Sequence, residues 1–578
     1  MPLGPLTRLS RAMTPSSGLP DDSSLRLLRR ASQRWGRAYL VTPTTGGWYG
    51  LVRDGTISTI SCFYQCSVSL RRFDLLTKRG AITMARKRTV SRKKQTAPGF
   101  TTTPFKTPDL PDYVVAELRY ESPVAFTTSS FVAPAAAENE ANSLNNVLAR
   151  FDIATVRSQF GQRIADVRNR IELAEALPAE PSARVLKAKG ADAAFRQSGF
   201  VQIVPKKGAD AKKLADALNR AKPVWQAYVA PRPVPAGLTG SSVGTRLFEP
   251  GQGYLYSAPD GIGAADVWGL AGAKGRSVTI CDIEGAWNTR HEDLPAGISL
   301  IGGTMISDLG WRNHGTAVLG EMVSTPNSKG CVGISHEAKA VVHSAVINGV
   351  FNLAQALTNA AAQLKAGDVI LIELQATGPN GKYVAMQYWS DVFSAIVAAT
   401  AKGITVVEAA GNGNENFDLP IFNNTGLQKD SGAIIVGAGI PPANFLDFDG
   451  SGGFGSAYQN IGVPRSRIWF SNYGKIVNVQ GWGFHVTTLG YGDLQGDASE
   501  NKWYSMRFSG TSSASPIVTG AVACIQGRAK AKNGAPLTPA KVRSILMSTG
   551  TAQVAGPGVP LAQRIGPQPN LPKAMLSV

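Results

Sequence analysis

From about residue 261 to the C-terminus, short apolar runs alternate with stretches of helical periodicity. The runs are Val278 to Cys281, Ala340 to Val346, Val369 to Leu374, Thr405 to Ala409 and Ala433 to Val436. This alternation predicts an α/β fold with a doubly wound, mostly parallel sheet and helices on both faces. In such a fold the side chains that do chemistry gather at the carboxyl ends of the strands. The residues that close each run are therefore the first candidates for function.

Upstream the pattern changes. Phe200 to Val204 reads as a strand, Asp210 to Asn219 as a helix with Leu214 and Leu218 four apart, and Val224 to Val229 as a second strand. Between Thr155 and Leu177, Val156, Phe160, Ile164, Val167 and Ile171 recur at helical spacing and Pro178 follows, which predicts an amphipathic helix. Pro231, Pro233 and Pro235 mark a linker. The expected organisation is a basic, disordered extension over 1–105, a small α/β region over 106–235, a linker over 236–260 and a main domain over 261–578.

The chain has 578 residues and a formal charge of +19, with 43% apolar and 17% charged residues. That balance suits a globular chain with a large core. The charge is uneven. Residues 1–100 carry 18 Lys+Arg against 4 Asp+Glu, and the rest carry 41 against 36. A nucleic-acid surface needs clustered charge on a folded face, so the body is not expected to bind nucleic acid. The basic run Arg86-Lys87-Arg88 and Arg92-Lys93-Lys94 confines any such role to the N-terminal arm. No run of 18 apolar residues exists, and no membrane span is expected. Met84 is a second candidate initiator. Neither start shows a charged segment followed by an apolar stretch of about 7–15 residues, so no secretory signal is expected. The location that follows is the cytoplasm, or release by another route. The five cysteines, Cys62, Cys66, Cys281, Cys331 and Cys524, give neither a disulfide framework nor paired metal-ligand spacing.

Three segments carry residues suited to acyl transfer. Val278-Thr279-Ile280-Cys281-Asp282 is an apolar strand ending in a carboxylate, and a buried carboxylate can fix a histidine's tautomer and stabilise its imidazolium. Asn313-His314-Gly315-Thr316-Ala317 places an imidazole among small residues at a helix start. Phe508-Ser509-Gly510-Thr511-Ser512-Ser513-Ala514-Ser515-Pro516 places Ser512 at the head of a helix that is uncharged until Arg528. Free N–H groups at such a helix start favour a developing oxyanion. Taken singly, a strand-end Asp is as readily a cap, and a Ser/Thr-rich helix start likewise.

Together the three segments resemble the Asp, His and Ser boxes of the subtilisin-like serine proteases, in that family's chain order. Ala409-Ala410-Gly411-Asn412 resembles the family's oxyanion segment, and Phe470-Ser471-Asn472-Tyr473-Gly474 a further family segment. The resemblance covers roughly Gln252 to the C-terminus. It implies a serine endopeptidase acting on polypeptides through an acyl-enzyme, with Asp282, His314 and Ser512 as the triad and Asn412 in the oxyanion hole. Activity should then rise with pH through an apparent pKa near 7.

The resemblance also implies a substrate strand over 370–378, giving Glu373, Leu374, Gln375 and Gly411 as substrate-binding candidates. Relatives usually carry a serine and then glycines there, so Glu373 stands open between a preference for a basic residue before the cut and a bond to neighbouring backbone. No cofactor is required for the chemistry. Asp293 and Asn327 match in spacing a segment that holds calcium in many relatives, which makes structural calcium a candidate. Ser513 stands where many relatives carry Met. A small α/β unit directly ahead of the main domain resembles the family's propeptides, which predicts self-removal by a cut between Pro231 and Arg246. The rival reading is an inactive scaffold of the same fold whose basic arm contacts nucleic acid. The sequence gives no oligomeric state.

Overall fold

The computed structural model describes residues 41–43, 68–70, 110–119, 122–161, 197, 199–234, 247–442 and 462–578. Two compact units are distinguished, 1–94 and 95–578. In the first, the described residues form one antiparallel strand pair, Val41–Pro43 with Val68–Leu70. The N-terminal basic run, Cys62 and Cys66 lie outside the described residues.

The second unit opens with a four-stranded antiparallel sheet. Its strands are β1 (Val114–Leu118), β2 (Ile153–Ser158), β3 (Phe200–Pro205) and β4 (Val224–Val229), in the order β2-β3-β1-β4. Helices α1 (Glu138–Leu148) and α2 (Ala211–Leu218) cover one face. Alternation along the strands sends side chains to both sides. Val114, Ala116 and Ile203 meet Leu144, Leu214 and Leu218 on the helical side. Val115, Phe200 and Val204 join the core of the larger body on the other.

The amphipathic helix expected from Thr155 does not start there. Residues Ile153–Ser158 are strand β2, paired with β3. Ile153, Thr155 and Val156 are β-branched and suit a pleated edge, and the open side of β3 supplies the ladder that decides the matter. The remainder of that expected helix lies outside the described residues.

The larger body is a seven-stranded, wholly parallel sheet, as the alternating runs predict. In chain order its strands are β5 (Thr279–Glu284), β6 (Ser299–Gly302), β7 (Lys339–Ser344), β8 (Val369–Ile372), β9 (Thr405–Ala409), β10 (Ile434–Gly439) and β11 (Val479–Trp482). In space they run β6-β7-β5-β8-β9-β10-β11, with every pair parallel. The order reverses around β5, whose neighbours are β7 and β8. Ligands of open α/β sheets bind in the crevice at such a switch point. Helices α3 (Leu309–Val323), α4 (Leu353–Gln363), α5 (Ser390–Ala401) and α6 (Thr511–Asn533) flank the sheet.

The small sheet docks on α4 and α5. Tyr113 donates to the Phe351 carbonyl at 2.6 Å and Asn352 Nδ2 to the Gln159 carbonyl at 2.9 Å. Asp391, buried at the start of α5, accepts from Tyr228 Oη and from Gln159 Nε2, each at 2.6 Å. Beyond β4 the chain runs to Val234, which exchanges two backbone hydrogen bonds with Gln375, N–H to carbonyl at 2.9 and 3.2 Å. A segment leaving the small domain thus adds, as one antiparallel bridge, to the strand that follows Glu373. Among the described residues no helix is long and apolar enough to cross a membrane.

Candidate active site

The sheet delivers three segments to one place. Glu284 is the last residue of β5, Glu373 follows directly after β8, and Gly411-Asn412 follow β9. The Glu373 N–H still reaches the Ile283 carbonyl at 3.4 Å, so the ends of β5 and β8 remain coupled where their side chains meet. Helix α3 is capped by Asp308, which accepts from the Trp311 N–H at 3.1 Å, and carries His314 inward. Gly315 lets that helix press onto the loop after β5, since a Cβ there would lie 2.4 Å from the Ala286 carbonyl oxygen and from the Trp287 ring. Helix α6 begins at Thr511 after Gly510 at φ +108°. Ser512 is its second residue, where the backbone N–H has no intrahelical acceptor.

His314 Nδ1 lies 2.6 Å from Glu284 Oε2, with both side chains fully buried. This corrects the expectation for Asp282. Asp282 Oδ2 accepts instead from Trp287 Nε1 at 2.7 Å. Residues two apart on a strand face the same side, so both carboxyls point toward the site. The residue at the strand's very end, with one more methylene, is the one that meets the ring. Asp282 stands behind it, near enough for the two carboxyls to share a hydrogen bond. Apart from each other, Asp282 Oδ1 and Glu284 Oε1 have no hydrogen-bond partner among the described residues.

Two further carboxyls complete the interior. Glu373 is fully buried, and Ser515 Oγ is hydrogen-bonded to its Oε1. Its carboxyl is thus held by a side chain of α6, not by neighbouring backbone. Glu321 sits on α3 seven residues beyond His314, two turns on along the same face, and is likewise fully buried. Burial pushes the carboxyls of Asp282, Glu284, Glu321 and Glu373 well above the ordinary range, and mutual repulsion adds to this for Asp282, Glu321 and Glu373. Burial pushes His314 the other way, down to about 3. The Nδ1–Oε2 contact is thus a short hydrogen bond between two fully buried side chains. The histidine limb of any pH profile belongs below the value near 7 expected from sequence.

Asn412 is half-buried. Its Oδ1 accepts from the Thr511 N–H at 2.9 Å and from Thr511 Oγ1 at 3.0 Å, and its own N–H donates to Gln375 Oε1 at 2.8 Å. The amide is thereby fixed against the head of α6, one residue from Ser512. Gly411 has φ +90°, and a Cβ there would come within 2.9 Å of Asn472 Nδ2, so glycine is required. Leu374 is buried in the core, and Gln375 offers its backbone to Val234. The candidates His314, Ser512, Asn412, Gly411, Glu373 and Gln375 thus converge. Of the other histidines, His291, His336 and His343 are held by backbone carbonyls at 2.8, 2.9 and 2.8 Å.

Asp293 and Asn327 come together, but not as calcium ligands. Asp293 Oδ1 accepts from Asn327 Nδ2 at 2.8 Å and Oδ2 from the Cys331 N–H at 2.7 Å. Both carboxyl oxygens face N–H donors, and the Lys329 ammonium is 3.1 Å from the neighbouring Glu292. A calcium site needs oxygens turned to a common centre, and these residues as arranged do not fit one. Among the described residues no group of three or more His, Cys, Asp or Glu side chains is placed to hold a metal ion.

A wholly parallel α/β sheet, with a serine hydroxyl, an imidazole and a carboxyl gathered at its switch point, defines a class of hydrolase-like architecture. The Subtilase family model matches residues 278–566, half of the chain, and the protein belongs to the subtilase family of serine proteases. No curated protein sequence matches the chain. Among solved structures, one described as proteases from Pseudoalteromonas arctica PAMC 21717 is 21% identical, covering 58% of this chain and all of its own, with a TM-score of 0.41. The prenylagaramide maturation protease PagA is 18% identical, covering 55% of this chain and 98% of its own, with a TM-score of 0.38.

Proposed function

We propose that this protein is a serine endopeptidase that works through an acyl-enzyme, with Ser512 as nucleophile, His314 as general base and Glu284 as the acid that orients it. The observation that carries this reading is the 2.6 Å contact between His314 Nδ1 and Glu284 Oε2, beside a helix head that begins with Ser512. Glu284 fixes the ring with Nε2 as the proton acceptor. His314 takes the Ser512 proton as Oγ attacks a peptide carbonyl, then hands it to the leaving amine; water repeats the sequence on the acyl-enzyme. Asn412 and the Ser512 N–H hold the oxyanion, where preorganised donors are worth most.

Polypeptide substrates add as a strand to the segment after Glu373, by main-chain pairing. The Val234–Gln375 bridge supports this, since the chain's own segment already uses that edge. It also favours self-processing just beyond Val234, within the stretch from Pro231 to Arg246. Labelling with a fluorophosphonate probe tests the reading: wild type should label and Ser512→Ala should not. Intact masses of the same two proteins test processing, with the wild type shorter and Ser512→Ala full length. Absence of labelling in a processed wild type would refute the protease reading.

A further inference from the structure

The segment Phe470-Ser471-Asn472-Tyr473-Gly474 takes no part in the proposed reaction, yet it runs beside the loop that follows β9 and carries Asn412. Backbone hydrogen bonds join the two. The Asn472 N–H donates to the Gly411 carbonyl at 3.0 Å, the Asn414 N–H to the Phe470 carbonyl at 2.8 Å and the Tyr473 N–H to the Glu415 carbonyl at 3.0 Å. The Asn472 side chain lies between these strands of chain and is fully buried.

Gly411 at φ +90° and Asn414 at φ +53° depart from strand geometry, so a sheet ladder cannot meet all the backbone groups of this loop. Buried backbone groups need partners all the same, and the Asn472 amide supplies them. Its Nδ2 donates to the Ala410 carbonyl at 2.7 Å and to the Tyr383 carbonyl at 2.9 Å. Its Oδ1 accepts from the Gly413 N–H at 3.1 Å and from the Glu415 N–H at 2.7 Å. A primary amide has two donor hydrogens and an oxygen with two lone pairs, so every hydrogen bond this side chain can make is made. The orientation of the amide follows as well: turned over, it would set oxygen against two carbonyls and nitrogen against two N–H groups.

Three of these bonds, at 410, 413 and 415, bracket Asn412 on both sides along the chain. Asn412 Oδ1 is taken up by Thr511 at the head of α6, and Thr511 Oγ1 also accepts from the Gly411 N–H at 3.2 Å. With Oδ1 so engaged, donation to a substrate oxygen falls to Nδ2 of Asn412. The fourth bond reaches a second wall of the site. Tyr383 begins the strand that pairs with Gln375–Thr377, and Gln375 is the residue that bridges to Val234. One buried amide therefore joins the loop that carries Asn412 to the strand pair on which a polypeptide would add.

We infer that Asn472 is a positioning residue for the oxyanion hole: its side-chain amide fixes the Asn412 loop against the substrate edge, so that the Asn412 amide stands where negative charge develops. It acts through the placement of Asn412 and not on the reacting atoms. A donor held in place beforehand costs no reorganisation at the moment of reaction. Loss of the tie is therefore felt in the transition state more than in substrate binding.

The inference rests on Asn412 being the oxyanion donor of a serine protease, and the test separates the readings. Wild type, Asn412→Ala, Asn472→Ala and the double variant are expressed as full chains and compared for fluorophosphonate labelling and for kcat and KM on a peptide substrate. Failure of the wild type to label refutes the protease reading as a whole, and an unchanged kcat in Asn412→Ala refutes the oxyanion assignment; either removes the ground of the inference. With both standing, Asn472→Ala should lower kcat about tenfold or more while KM stays within about threefold of wild type. The same substitution made in Asn412→Ala should lower kcat by no more than about twofold, because two groups that act through one donor are not additive. Equal losses in the two backgrounds would assign Asn472 a general structural role and overturn the inference, as would an unchanged kcat in Asn472→Ala. Should Asn472→Ala fail to fold, Asn472→Ser, which keeps a hydroxyl among the same backbone groups, goes through the same cycle and is decided by the same comparison. Failure of both to fold would also overturn the inference, since the amide would then serve the fold and not the oxyanion loop.

Discussion

Of the places where this molecule buries carboxyl groups, two treat them differently. At the docking face of the small domain, Asp391 has each oxygen met by a donor, Tyr228 on one and Gln159 on the other. At the switch point of the parallel sheet, Asp282, Glu284, Glu321 and Glu373 crowd together with oxygens left over once each ordinary hydrogen bond is made. Unmade hydrogen bonds at buried polar groups are costly, and a structure that needs only stability satisfies them, as the docking face does. Under-satisfied groups clustered at strand ends are what a reactive centre requires, because protons must have somewhere to go. The difference separates architecture from chemistry within one chain.

The largest effect that sharpens this contrast is at the reactive centre itself. Ser512→Ala or His314→Ala alone should lower kcat by on the order of a million-fold, as the equivalent changes do in subtilisin, with the fold intact by circular dichroism. Retention of more than a few per cent of activity in Ser512→Ala would break the contrast at once. Asn412→Ala should cost about a hundred- to a thousand-fold in kcat with little change in KM, again by analogy with subtilisin.

Acid chemistry gives the next effect. Burial holds the His314 pKa far below its ordinary 6.5, so the neutral base persists into acid solution. A profile of kcat/KM from pH 3 to 8 should show its acid limb below 6.5, and a limb at 7 or above would contradict the burial argument. Stability should move the opposite way at higher pH. A carboxyl with a raised folded pKa stabilises fully below its unfolded value, and that contribution is lost as pH rises toward the folded one. The histidines with depressed values are already neutral above 6.5 in both states. Burial pushes Glu408 in β9 up to about 8 and Asp293 up to about 7, and these then act together with the interior carboxyls. Tm should fall from pH 6.5 to 8.5, and less steeply in Glu408→Gln, which keeps an acceptor for the Gln387 N–H. A flat Tm over that range would mean that the interior is hydrated.

The smallest effect belongs to the docking face. Asp391→Asn turns one acceptor into a donor opposite Tyr228 or Gln159 and should cost about 1–3 kcal/mol in urea unfolding. Measured in Ser512→Ala, where no self-cleavage intervenes, the change should leave the catalytic body's own stability alone.

Much of this fold was legible in the chain because its strands are continuous apolar runs, the mark of a sheet covered on both faces. Two strands of the parallel sheet were not. Ser299–Gly302 is a short edge strand, half-exposed, with little apolar character. Val479–Trp482 is interrupted by Gly481, and the reason is visible only in three dimensions: a Cβ there would lie 2.3 Å from the Ala514 carbonyl oxygen, where α6 presses on the sheet. His314 and Ser512 could be found because each sits in a run of small residues whose segment resembles a family box, and Asn412 because Ala409-Ala410-Gly411-Asn412 resembles the family's oxyanion segment. Glu284 was missed although the signal was present. The strand Cys281-Asp282-Ile283-Glu284 alternates, so its two acids share a face, and the one beside Gly285 lies nearer the carboxyl end. Glu321, Glu373 and Ser515 come together from separate elements, and no local pattern could join them.

The central claim is that Glu284, not the neighbouring Asp282, is the acid behind the histidine. The direct measurement is kcat/KM for Glu284→Gln beside Asp282→Asn, each against wild type at pH 7.5. Glu284→Gln should fall by about a thousand- to ten-thousand-fold, since an amide at that position favours the wrong imidazole tautomer. Asp282→Asn, which still offers an acceptor to Trp287, should stay within about tenfold of wild type. The reverse order, with Asp282→Asn the crippled variant and Glu284→Gln nearly intact, would contradict the account.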